Sequence, residues 1–173
     1  AEPIKNTDPG EIEEHGQYDP HIWLSLKGAE IETKNIRDGL VKADPANKDY
    51  YEKNCEDFVA QLESLYTEYD QKFKSAPKKS FVTGHAAFGY LCRDFGLEQN
   101  SVEDVYAEGE PSAQQLSELV KYCKDHKVTT VFAEEMASPD VSKTLAKEVG
   151  AKVETIYTVE SAEDDKTYLE RVE

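Results

Sequence analysis

A long amphipathic helix followed by repeated strand–helix alternation predicts an α/β chain, with a spine helix leading into a four-stranded parallel-sheet lobe of (β/α) units. Two observations carry this. Tyr51, Cys55, Phe58, Leu62, Leu65, Tyr69 and Phe73 step mostly by four and three, one apolar stripe of a helix over Lys48–Lys74. At ~1.5 Å per residue that helix measures roughly 40 Å, long enough to join two bodies. Beyond Pro77, short β-forming runs alternate with helical patterns, which means parallel strands with right-handed crossovers. Boundaries follow at 1–44 (loop plus helix), 45–76 (linking helix) and 77–173 (the strand–helix lobe).

Each element has its own signal. Residues 1–18 are polar, with Pro3, Pro9, Gly10 and Gly16 around Glu11, Glu13 and Glu14, and read as loop. Asp19-Pro20 is placed to cap a helix running through Leu26, Ala29, Ile31, Ile36, Leu40 and Val41. Asp44-Pro45 opens the spine, and Ser75-Ala76-Pro77 stops it. Ser80–Thr83 is a strand, Ala86–Asp94 a helix with Gly96 as its C-cap, and Asn100–Tyr106 a second strand. Glu110-Pro111-Ser112 opens a helix through Cys123, with His126 at its basic end. Val128–Ala133 is the third strand, Ser138-Pro139 caps a helix ending at Gly150, and Lys152–Val159 is the fourth strand.

Composition narrows the function. The 173 residues are 38% hydrophobic, enough for a core. A net charge of −16 excludes a nucleic-acid backbone binder, which needs clustered Lys and Arg. Cys55, Cys92 and Cys123 are odd in number and widely spaced, so they read as buried thiols, without a disulfide framework or zinc-finger spacing. No run approaches the ~18 apolar residues of a membrane span, and no signal-peptide pattern is seen. The chain begins without Met, as a processed or truncated chain would.

The chemistry collects on one edge. Parallel topology puts His85 after strand one, Glu110 after strand two, Glu134 and Glu135 after strand three, and Glu160 after strand four. All lie at the carboxyl ends where open α/β sheets place ligands. His21 lies near a helix N-terminus, where the dipole favours the neutral, metal-binding imidazole. From position alone, His85 is a metal ligand, a general base or a helix cap, and His21 a ligand or a packed neighbour of Trp23. His15 is a loop histidine or an accessory ligand. The chain carries no HExxH, GxSxG or phosphate-cradling glycine loop.

Five motifs together resemble the zinc- and manganese-type solute-binding proteins of ABC transporters. They are DPHIWLS (Asp19–Ser25), ADPANKDYYEKN (Ala43–Asn54), TGHAAFGYL-RDFGL (Thr83–Leu97), GEPSAQQL (Gly109–Leu116) and VFAE---SP (Val131–Pro139). The resemblance implies two (β/α) lobes on one rigid helix, with the metal between them. It implies His21 and His85 as ligands, and a histidine rather than a carboxylate at 85 favours zinc over manganese. It implies a first lobe, carrying another histidine ligand, ahead of the stretch seen here. It also implies an Asp shortly before Tyr168. Strict spacing puts Lys166 there, and a one-residue shift makes it Asp165. Glu134 and His15 are secondary candidates.

The expected function is an extracytoplasmic receptor, a cell-surface lipoprotein or periplasmic protein, that hands zinc to a membrane permease and is no enzyme. Two other classes stay open. One is a zinc-dependent hydrolase with His21 and His85 on the metal and Glu134 or Glu135 as base. The other is an adhesive or scaffolding module without metal.

Overall fold

The computed structural model describes all residues except 1, 8, 104, 106–111, 135–139 and 162–164, and the side chain of Glu11. Helix α1 (Pro9–His15) stands where the sequence predicts loop. Glu11, Glu13 and Glu14 are good helix formers following a first-turn proline, and Gly16 at φ +101° ends the run. Lys5 and Tyr18 then form an antiparallel bridge.

The helix expected from Pro20 onward starts later. Ile22–Leu24 is a 3₁₀ turn, and α2 (Leu26–Ala43) is capped by Ser25, whose hydroxyl accepts from the Gly28 amide at 3.0 Å. Asp19 therefore does not cap a helix. A 3₁₀ turn at Pro45–Asn47 leads into α3 (Lys48–Ser75), one unbroken helix of 28 residues. Its stripe packs Leu62, Phe58, Leu65, Tyr66, Tyr69 and Phe73 against Leu26, Ala29 and Phe95.

The sheet comprises β1 (Ser80–Thr83), β2 (Glu98–Ser101), β3 (Thr130–Glu134) and β4 (Lys152–Ile156) in the order β2-β1-β3-β4, all parallel. Between β1 and β2 lies α4 (Gly89–Phe95), closed by Gly96 at φ +64°. Helices α5 (Ala113–Asp125) and α6 (Asp140–Val149) follow β2 and β3, and α7 (Tyr168–Val172) follows β4. One face of the sheet packs Val82 and Val131 against Leu119 and Cys123 of α5 and Leu145 and Ala146 of α6. The other face packs Phe81 and Ile156 beside Leu24, Ala87 and Phe88.

Several boundaries shift for physical reasons. The second strand is Glu98–Ser101, not Asn100–Tyr106, because the Val102 and Glu103 amides turn in to the carbonyls of Thr83 and Gly84. Helix α4 starts at Gly89 rather than Ala86, because Gln99 takes the Phe88 amide at 2.9 Å and holds Ala86–Phe88 in a turn. The fourth strand stops at Ile156, since Val159 adopts a left-handed φ of +54°. The Ser138-Pro139 cap and Glu110-Pro111 lie outside the described residues.

Candidate metal centre

Strand order reverses at β1 and β3, so the crevice between their carboxyl ends is the topological switch point, the usual ligand position of an open sheet. His85 follows β1 and Glu134 ends β3. Gly84 lets them meet: a Cβ there would lie 2.1 Å from Glu134 Oε2. The Glu134 carboxylate instead accepts the His85 amide at 3.1 Å and stands 3.5 Å from its Nδ1. The turn is pinned from β2. The Gln99 amide group donates to Thr83 Oγ1 (2.6 Å) and the His85 carbonyl (2.8 Å), and the Thr83 hydroxyl donates to that same carbonyl.

His21 arrives from the turn ahead of α2. Asp19 accepts both its amide (2.9 Å) and its Nδ1 (2.8 Å), so the aspartate orients the imidazole. The Tyr90 hydroxyl on α4 donates to the Asp19 carbonyl at 2.8 Å and fixes this turn against the lobe. The two imidazole centroids lie 5.4 Å apart. Each Nδ1 thus faces a buried carboxylate, an arrangement that fixes the tautomer and leaves Nε2 with the lone pair a metal needs.

Glu160 completes a group. His21, His85 and Glu160 each offer a ligand atom, and these atoms lie within 4.8 Å of one another. Two donors on one zinc ion, each at about 2.0–2.2 Å, lie at most ~4.4 Å apart, so small side-chain adjustments bring the trio into bonding range. Both histidines are buried and Glu160 is exposed. Burial works to lower the His85 pKa, but the hydrogen bond and charge of Glu134, with Glu160 and Glu103 behind it, raise it above the ordinary histidine value.

The remaining candidates fall elsewhere. Glu134 is buried behind His85 and outside the trio. Asp165 is exposed and also outside it, as is His15, whose Nε2 lies 3.9 Å from the Glu14 carboxylate. His126 ends α5, stacked on Tyr122 at 4.0 Å. Glu110 and Glu135 lie outside the described residues. Parallel topology alone puts Glu160 on this rim without singling it out, and Asp19, which has the sequence form of a helix cap, orients His21 instead.

A buried pair of carboxylate-oriented imidazoles with an exposed glutamate, at the switch point of an α/β lobe joined to one long helix, is a group that could hold a metal ion. The chain belongs to the ZnuA family, the periplasmic zinc-uptake complex component A, which it matches over residues 1–173. It is 46% identical over 142 residues to the high-affinity zinc uptake system protein ZnuA of Bacillus subtilis (strain 168), covering 82% of this chain and 44% of that one. The laminin-binding protein Lbp of Streptococcus pyogenes superposes with a TM-score of 0.86 at 43% identity, covering 90% of this chain and 61% of the other. A Zn(II)-bound variant of AdcAII from Streptococcus pneumoniae gives 0.88 at 36% identity over 99% of this chain and 63% of that one. The chain spans half or less of the length of the curated relatives it matches.

Proposed function

We propose that this chain is the metal-holding part of an extracytoplasmic zinc receptor that delivers its ion to an ABC permease. His21, His85 and Glu160 hold the zinc, and a donor outside this trio takes the fourth corner of a tetrahedral shell. Zinc is cargo here, so the site has to bind and release it rather than activate it. The observation that carries the reading is the convergence of two buried, Nδ1-anchored imidazoles and one carboxylate. Membership of the zinc-uptake family supports the same assignment. The exposed Glu160 gives the ion one ligand that can leave before the two histidines. Glu134 is buried and committed to the His85 amide and ring, which favours transport over a hydrolytic site that would need it as a base. No helix among the described residues is long and apolar enough to cross a membrane.

Zinc titration of the 173-residue chain tests this. One ion binds per chain, and Trp23, the single tryptophan, reports it by fluorescence because its ring lies 5.4 Å from that of His21. The pH dependence has a definite sign. The folded His85 pKa lies above the unfolded value, so its proton stabilises the metal-free fold below about pH 6.5, and that contribution is lost as pH rises through the folded pKa. Zinc competes with the same proton. Affinity therefore falls by at least about 20-fold between pH 7 and pH 5 from this imidazole alone. A titration without a one-to-one endpoint, or an affinity unchanged at pH 5, contradicts the assignment.

A further inference from the structure

Glu160 is exposed, so burial does not hold it beside the histidines, yet the loop that carries it is tightly tethered. The tether starts at Trp23, two residues after His21. The indole Nε1–H donates to the Thr158 carbonyl at 2.8 Å, while the ring leans on the His21 imidazole with centroids 5.4 Å apart. The Trp23 carbonyl accepts the Tyr168 hydroxyl of α7 at 2.5 Å, so the residue is gripped from both sides of the Glu160 loop. Between the clamp and the ligand sits Val159, at φ +54°. A β-branched residue in that region is strained, and it persists only where its surroundings over-determine it. Thr158, 1% exposed, and Val159, packed with Trp23 in the cluster around Leu24 and Phe88, supply that determination.

We propose that Trp23 is a positioning residue of the metal site. Through the Thr158 carbonyl and the left-handed Val159 it holds Glu160 against His21 and His85. The inference rests on the reading of that trio as the zinc ligands. It gives Trp23 a part in setting how long the carboxylate stays on the ion, and so in the balance between capture and release. Without the indole hydrogen bond, the strained turn relaxes and the exposed glutamate swings into solvent.

A double-mutant cycle separates this from a general packing role. Trp23→Phe keeps an aromatic ring and removes the N–H, and Tyr168→Phe releases the Trp23 carbonyl while keeping its ring in the core. Zn(II) affinity is measured by competition with a chromophoric chelator, for each variant alone and combined with Glu160→Gln. Trp23→Phe weakens binding about tenfold beside an intact Glu160, the scale of one lost hydrogen bond, and less than about twofold in the Glu160→Gln background. Tyr168→Phe shows the same pattern with a smaller factor. Melting of the metal-free chain shows that both variants are folded. Equal losses in both backgrounds, or no loss in either, overturn the clamp while leaving the ligand trio intact. If Glu160→Gln alone binds zinc like the parent, the trio is wrong and the clamp falls with it.

Discussion

The His85→Ala variant binds zinc more than about 100-fold less tightly than the parent at pH 7. A complete structural zinc site is worth roughly 10–16 kcal/mol, so one of its few strong donors carries on the order of 3 kcal/mol. The imidazole is also a preorganised donor. Its amide and Nδ1 both face Glu134, and its carbonyl is held by Thr83 and Gln99, so binding spends little on ordering it. His126→Ala, at the far end of α5 and stacked on Tyr122, leaves affinity unchanged, and His15→Ala costs little. Calorimetry of the three variants beside the parent reads all of this. An unchanged affinity in His85→Ala removes the strand-end turn from the site.

Gly84→Ala damages the same site from behind. Its new Cβ would meet Glu134 Oε2 at 2.1 Å, closer than Cβ atoms approach in real structures, and Cδ at a tight 3.0 Å. The carboxylate is the mobile end of its side chain, but it is 5% exposed and hydrogen-bonded, so moving it breaks the bond to the His85 amide. A buried carboxylate losing that donor costs about 1–3 kcal/mol of stability. His85 loses the group that fixes its tautomer, which for comparable partners of metal-bound histidine costs about 10–100-fold in affinity. Urea unfolding and zinc titration are both expected to move. Parent-like values in both would mean that the Gly84–Glu134 approach is not needed.

Much of the fold was legible because its signals are local. The apolar stripe of α3 and the succession of four strands along the chain follow from periodicity and turn residues within a few positions of each element. Helix α7 has a local signal as well, the Thr167-x-x-Glu170 capping box. Elements set by distant partners were not legible. Asp19 before a proline has the form of a helix cap, and only the fold aims its carboxylate at His21. Ala86–Phe88 has helical composition, but Gln99 of β2 takes the amide that the helix would use.

The metal centre divides in the same way. His21 and His85 stood out because each sits beside a turn signal in a recognisable motif. Glu160 has no motif of its own. Parallel topology puts it on the carboxyl edge of the sheet, but its place beside the two imidazoles depends on the left-handed turn at Val159 and the tether from Trp23. Those contacts join residues more than a hundred positions apart, and no local pattern encodes them.

The most direct test of the metal centre is anomalous diffraction at the zinc edge from crystals of this chain grown with Zn(II). One peak is expected, about 2.0–2.2 Å from a ring nitrogen of His21, a ring nitrogen of His85 and a carboxylate oxygen of Glu160. A peak on Asp165, on the His15–Glu14 pair or at His126, with none between the two buried imidazoles, would contradict the assignment.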